Sequence, residues 1–138
     1  MKNLIIITLF SLAIIGCGTA NSTVGGSATD SENDTIRIAN DSLEYEIIIV
    51  EPGFHSWLVS QPPRGFYGQP LLETKNHAFV TEYNYRVLQP AKFSSALYSE
   101  RINYEPSIDY GYEVNYLLYN YFVYFQEKYN QKFSGGRN

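Results

Sequence analysis

The chain has 138 residues, 44% apolar and 16% aromatic, with 13 Tyr and 8 Phe. That is one domain's length, with enough ring surface for a core. The net charge of −4 comes with no dense basic patch, so no nucleic-acid partner is expected. Cys17 is the only cysteine, which excludes a disulfide framework and a Cys-based zinc site.

Residues 1–16 have the form of a secretory signal peptide: Lys2 is the positive region and residues 4–15 the apolar one. The apolar run is shorter than the roughly 20 residues a membrane span needs. It ends in Ile14-Ile15-Gly16-Cys17, which resembles the lipobox of bacterial lipoproteins. The resemblance implies cleavage before Cys17 and lipid on its thiol. Two or more acyl chains make such an anchor stable. Gly18 rather than Asp follows the cysteine, so the expected address is the outer membrane, facing the periplasm.

Residues 18–42 are rich in Gly, Ser, Thr, Asn and Asp, and they carry Asp30, Glu32, Asp34 and Asp41 against Arg37. The composition predicts a flexible tether for residues 17–42, spanning roughly 25–30 Å. Within it, Asp34-Thr35-Ile36 and Asp41-Ser42-Leu43 resemble the O-glycosylation acceptors of Bacteroidetes, which makes Thr35 and Ser42 candidate acceptors.

The folded domain is expected over residues 43–133. The run 44–50, Glu-Tyr-Glu-Ile-Ile-Ile-Val, reads as a strand stopped by Pro52-Gly53, apolar on both faces and so expected to be covered. Residues 101–104 are its expected partner. Residues 54–59 suit a short helix with Trp57 and Leu58 inward. Residues 60–70 form a stiff turn-rich loop punctuated by Pro62, Pro63, Gly65, Gly68 and Pro70. Helical spacing returns over 69–88 through Leu72, Asn76, Phe79, Val80, Tyr83 and Val87, and Pro90 ends it. A connector follows, with Phe93, Leu97 and Tyr98 as packing points.

The longest aromatic run, 110–133, organises the rest. Val114, Leu117, Leu118, Tyr121, Phe122, Phe125 and Tyr129 make one helical stripe. Tyr116, Tyr119 and Val123 lie among Asn115, Asn120, Gln126, Glu127 and Asn130 on the other side, so cover on both faces is expected. Asp109 and Glu113 suit the helix start, and Gly135 and Gly136 its end. Alternation fails at Leu117–Leu118 and Tyr121–Phe122, which argues against strand.

The words Leu43–Phe54, Gln61–Tyr67, Thr81–Pro90 and Ile102–Gln131 resemble DUF6146, an uncharacterised family of small Bacteroidetes lipoproteins. The resemblance supports an envelope address and carries no catalytic or binding residues with it.

Few residues suggest chemistry. His77 shares a predicted helix face with Glu73 and Thr81, yet no third ligand is placed, and an exposed Glu–His pair explains the spacing more economically. His55 suits a solvent or capping contact. Asp109 and Glu113 could pair as in glycosidases, but helix-start electrostatics accounts for both. No nucleophile elbow, P-loop or dinucleotide fingerprint is present. No cofactor, metal or catalytic residue is expected. Trp57, Arg64, Phe66 and Tyr67 form the candidate binding surface, because a stiff loop loses little freedom on contact.

The expected fold is therefore a small α+β domain: two main helices, 69–88 and 110–133, on a minimal sheet, with a disordered tail at 134–138. The expected role is a non-enzymatic envelope lipoprotein that reaches the membrane through lipid on Cys17 and contacts an envelope protein. Glycan or peptidoglycan binding by aromatic rings is the alternative, and an acidic-site hydrolase ranks third.

Overall fold

The computed structural model describes residues 34–135. The leader, Cys17 and residues 18–33 of the expected tether lie outside the described residues, as does Gly136. The fold is α+β. A hairpin of β1 (Thr35–Asn40) and β2 (Tyr45–Val50) precedes a short helix α1 (Phe54–Leu58) and the long helices α2 (Gln69–Val87) and α3 (Tyr112–Lys128).

The first strand corrects the expected tether. Thr35–Asn40 alternates, sending Ile36 and Ile38 into the core at 1% and 0% exposure while Arg37 faces out. Averaging composition over a long polar tract hides an alternation this short. Asp41–Leu43 make a 3-10 turn, Glu44 takes a left-handed φ of 51°, and Asn40 Oδ1 accepts from Ser42 N. This four-residue loop sets the register Ile36↔Ile49, Ile38↔Ile47 and Asn40↔Tyr45. The partner of β2 is thus β1 and not residues 101–104. Nor is β2 covered on both faces: Ile48 and Val50 are 61% and 70% exposed.

The core lies between the long helices and under the hairpin. Phe79 and Tyr83 of α2 meet Phe122 and Phe125 of α3, with ring centroids 5.6 to 5.9 Å apart. Tyr98 of the connector and Phe133 beyond α3 complete the cluster, each within 6.5 Å of Phe125. Edge-on and tilted rings at such separations add attraction beyond area burial.

Both faces of α3 are covered, as expected. The second face is held by tyrosine hydroxyls: Tyr112 accepts from Gly65 N and donates to Tyr67 O, Tyr116 donates to Pro62 O, and Tyr124 to Pro52 O. The helix ends one turn sooner than its flanking glycines suggest. Asn130 takes the left-handed conformation, φ 49°, just past Lys128 and Tyr129. The tail then folds back: Phe133 N donates to Gln126 Oε1, and Lys75 Nζ reaches Gly135 O. Arg86, only 9% exposed, ties this tail to the connector through Glu82, Tyr98 and Lys132 O, its guanidinium over the rings of Phe93 and Phe133.

Candidate functional site

The four loop residues chosen from sequence do not form one site. Trp57 turns back on the body: Nε1 donates to Glu127 Oε2 at 2.8 Å, and its ring lies 5.2 Å from Tyr124. Arg64 grips Glu113 with two hydrogen bonds and lies 4.6 Å from the centre of the Tyr116 ring. Glu113 and Glu127 stand at opposite ends of α3, so Trp57 and Arg64 are held roughly 20 Å apart along the helix. Tyr67 packs edge-on against Tyr119. Phe66, 64% exposed, is the member of the set that faces solvent most openly.

The acids and histidines divide in the same way. Glu73, His77 and Asp109 line one shallow cleft with Gln69, whose Nε2 donates to both carboxylates at 2.7 Å. Asp109 also accepts from Gly111 N, while Glu113 is bound to Arg64, so each member of the supposed carboxylate pair serves a different partner. Thr81 donates to the backbone carbonyl of His77 and offers that ring nothing. Among the described residues, no group of three or more His, Cys, Asp or Glu could hold a metal ion. His55 meets the carbonyl of Thr35 at 3.0 Å, a contact between α1 and the hairpin.

A second concavity, about 510 Å³, was not legible in the sequence. It runs along the outer edge of β2, with residues 96–103 as its far wall and Tyr83, Tyr121, Phe125 and Tyr129 among the rings that line it. Its near wall follows from the hairpin's phase. Glu51 N donates to Asp34 O at 2.6 Å, which extends the register Thr35↔Val50 by one hydrogen-bonded pair. Bonded and non-bonded pairs alternate in an antiparallel ladder. Ile49, Ile47 and Tyr45 therefore bond β1, and the N–H and C=O groups of Glu46, Ile48 and Val50 point away from it. The same phase puts the Thr35 carbonyl on the opposite edge, where His55 finds it.

The far wall is extended but turned away. Ile102 spends both backbone groups on the side chain of Asn84 in α2, at 2.8 Å each. Tyr45 donates to Asn103 O at 2.6 Å and bridges hairpin and wall. Glu51, 6% exposed, is held by Lys128 Nζ and the Tyr129 hydroxyl. Desolvation pushes the phenol of Tyr83 up to about 12 and that of Tyr121 further still, so both stay neutral near pH 7. Tyr83 donates to Leu97 O. Tyr121, 4% exposed, lines the cleft as well.

Of the two candidate glycosylation positions, Thr35 lies half-buried in β1 and Ser42 is exposed on the hairpin turn. No described helix is long and apolar enough to cross a membrane. No curated protein and no solved structure matches the chain. A family model does, and by its span over residues 4–137, described only as a family of unknown function, the chain belongs to DUF6146.

Proposed function

We propose that the chain is a cell-envelope lipoprotein, held at the periplasmic side of the outer membrane by lipid on Cys17, whose folded part is a non-enzymatic protein-interaction module. The leader and the Ile14-Ile15-Gly16-Cys17 run support the anchor. One observation carries the interaction role: an unpaired strand edge, recessed in a ring-lined cleft, with Ile48 and Val50 exposed beside it. Sheet edges with unmet backbone groups are surfaces on which other chains dock. Site-specific photo-crosslinking in the native cell envelope tests this. Adducts to one defined envelope protein are expected from a crosslinker at position 100, beside the cleft. Adducts to none from positions 48, 66 and 100 alike would end the reading. For the anchor, acyl label is expected on the chain and absent from Cys17→Ser; label that persists in the variant would refute it.

A second reading is favoured by one feature, the exposed ring of Phe66 edge-on to Tyr67 at 4.8 Å. Rings so placed can stack on sugars. Retention on purified peptidoglycan, lost in Phe66→Ala, is its expected signature; no retention would remove it.

A further inference from the structure

We infer that the outward face of the hairpin, at the end where the chain enters the fold, rests on the lipid surface, with Ile48, Val50 and Val59 against the acyl boundary. This rests on the anchor proposed above and specifies which side of the body that anchor turns toward the bilayer.

The outward face changes character along its length. Ile36, Ile38, Ile47 and Ile49 point inward, so the register leaves Thr35 beside Val50, Arg37 beside Ile48 and Ala39 beside Glu46 on the outside. Near the turn that face is ionic, because Arg37 bonds both Asp41 and Glu46. Toward the open end, Ile48 and Val50 stand in solvent. Val59, 87% exposed, belongs to the same end: its N–H bonds the carbonyl of His55 one turn back, and the His55 ring meets the Thr35 carbonyl.

What lies opposite this end follows from where the chain goes. β1 is entered from Asp34, whose carbonyl accepts from Glu51 N, next to Val50. Seventeen peptide steps separate Asp34 from Cys17. They reach about 60 Å at full extension and span roughly 20–25 Å on average for a sequence rich in Gly, Ser and Thr. That average is shorter than the body itself, about 35 Å across for about 100 residues. The open end is thereby kept nearest the lipid, and the ionic turn lies about 20 Å further along the strands. A short link to the anchor gives this face an effective concentration of about millimolar at the surface, so a contact of a few aliphatic side chains is populated. Charge does not select the surface. The chain is net −4 and Arg37 is already paired, which leaves apolar burial as the attraction.

The test uses the full acylated chain in vesicles of phosphatidylethanolamine and phosphatidylglycerol. Cys17 is the only cysteine, so once it is acylated Leu43→Cys, Ile48→Cys, Val50→Cys, Val59→Cys and Glu100→Cys each supply a single free thiol for an environment-sensitive fluorophore. Quenching by nitroxide lipids is expected to be about threefold or more stronger at 48, 50 and 59 than at 43 and 100. Leu43 is the matched control, an aliphatic side chain 45% exposed at the opposite end of the hairpin. Quenching should persist at about 1 M salt, where charges are screened within about 3 Å; its loss there would overturn apolar contact. Ile48→Thr with Val50→Thr keeps β-branched residues at exposed strand positions, so the thermal midpoint is expected to hold while quenching at 59 falls about threefold. Unchanged quenching at 59 in that variant removes Ile48 and Val50 from the contact. Should the variant unfold, positions 43 and 50 in the otherwise unaltered chain decide. Equal quenching at those two overturns the docking, as does a label at 50 that stays unquenched while the same position crosslinks a second copy or another protein. Flotation with the vesicles separates the two levels. A floating chain with equal quenching leaves the anchor standing, whereas a chain that neither floats nor carries acyl label removes anchor and docking together.

Discussion

The seam between α2 and α3 holds a polar contact whose energy can be worked out bond by bond. Asn115 is fully buried at 0% exposure, as is Asn76 facing it. Asn76 Nδ2 donates to both Asn115 O and Asn115 Oδ1, Tyr104 donates to the same Oδ1 at 2.7 Å, and Asn115 Nδ2 donates to Gly111 O. Asn115→Leu keeps roughly the shape and removes the side-chain bonds. Asn76 retains the backbone carbonyl, and Gly111 O retains Asn115 N, so the group left stranded is the Tyr104 hydroxyl. Stranding it costs about 1–3 kcal/mol, and the weakened Asn76 contact adds about 1. Added apolar burial returns about 1 kcal/mol. The net loss of about 1–3 kcal/mol lowers the midpoint of thermal unfolding by about 5–20 °C for a domain this size. Urea unfolding of Asn115→Leu, Tyr104→Phe and the double variant gives a cycle. Tyr104→Phe should cost about 1 kcal/mol alone and nothing, or less than nothing, beside Leu at 115. Additivity within about 0.3 kcal/mol would refute the claim that these groups act as one.

Other consequences are as direct. Gly53 has φ +87° and an added Cβ would sit 2.9 Å from the Tyr124 hydroxyl, whereas Gly65 has φ +88° with nothing within 4 Å. Gly53→Ala should therefore cost about 2–3 kcal/mol and Gly65→Ala about 1, by thermal melts; equal losses would sink the steric argument. Asn130, left-handed at φ 49°, should accept Gly with no loss of stability and lose about 1–2 kcal/mol as Val; an unaffected Val variant would contradict its role in ending α3. Burial holds the phenols of Tyr83 and Tyr104 at about 12, above the ordinary value of 10. The unfolded chain then releases these protons first, so their stabilisation is complete below pH 10 and is lost as pH rises through about 12. Phenolate absorbance and circular dichroism should change together in that window; ionisation of every tyrosine near pH 10 with the fold intact would refute it.

The helices were legible because their spacing is local. Leu72, Asn76, Phe79 and Tyr83 recur at helical intervals, and all four are buried. The doubly covered α3 was legible as well, since tyrosines on its second face need both packing and a polar partner: Tyr112 and Tyr116 find theirs in the loop over residues 60–70, and Tyr124 finds its partner at Pro52. Pairing was less so. Residues 101–104 do lie near β2, as expected of a neighbour, but Asn84 takes both backbone groups of Ile102 and leaves a gap where a ladder was foreseen. No local pattern announces a side chain that caps a strand from another element. The cleft itself was out of reach, because its walls come from β2, residues 96–103, α2 and α3, and its chemistry lies mostly in backbone phase. Phe54, buried at 0%, shares a five-residue helix with Trp57, too short for periodicity to rank its apolar side chains.

Which strand remains open follows from how the hairpin is held. Ile36 and Ile38 of β1 are sealed in the core, Asn40 Nδ2 donates to Tyr110 O, and the Thr35 carbonyl accepts from His55. These contacts fix β1 to the body from one end to the other. The inward residues of β2, Ile47 and Ile49, are only partly buried, and its outer edge faces the cleft. The rings of Phe79, Phe122, Phe125 and Phe133 close the core behind it without help from any occupant. Stability and the open edge are therefore separable, and they have to be, since a flat apolar edge in open solvent invites indiscriminate pairing. Here the edge is recessed behind residues 96–103, and its outer face carries the Arg37–Glu46 ion pair beside Ile48. The core is thus closed by its own rings, while the unpaired edge of β2 is shielded by recess rather than by pairing.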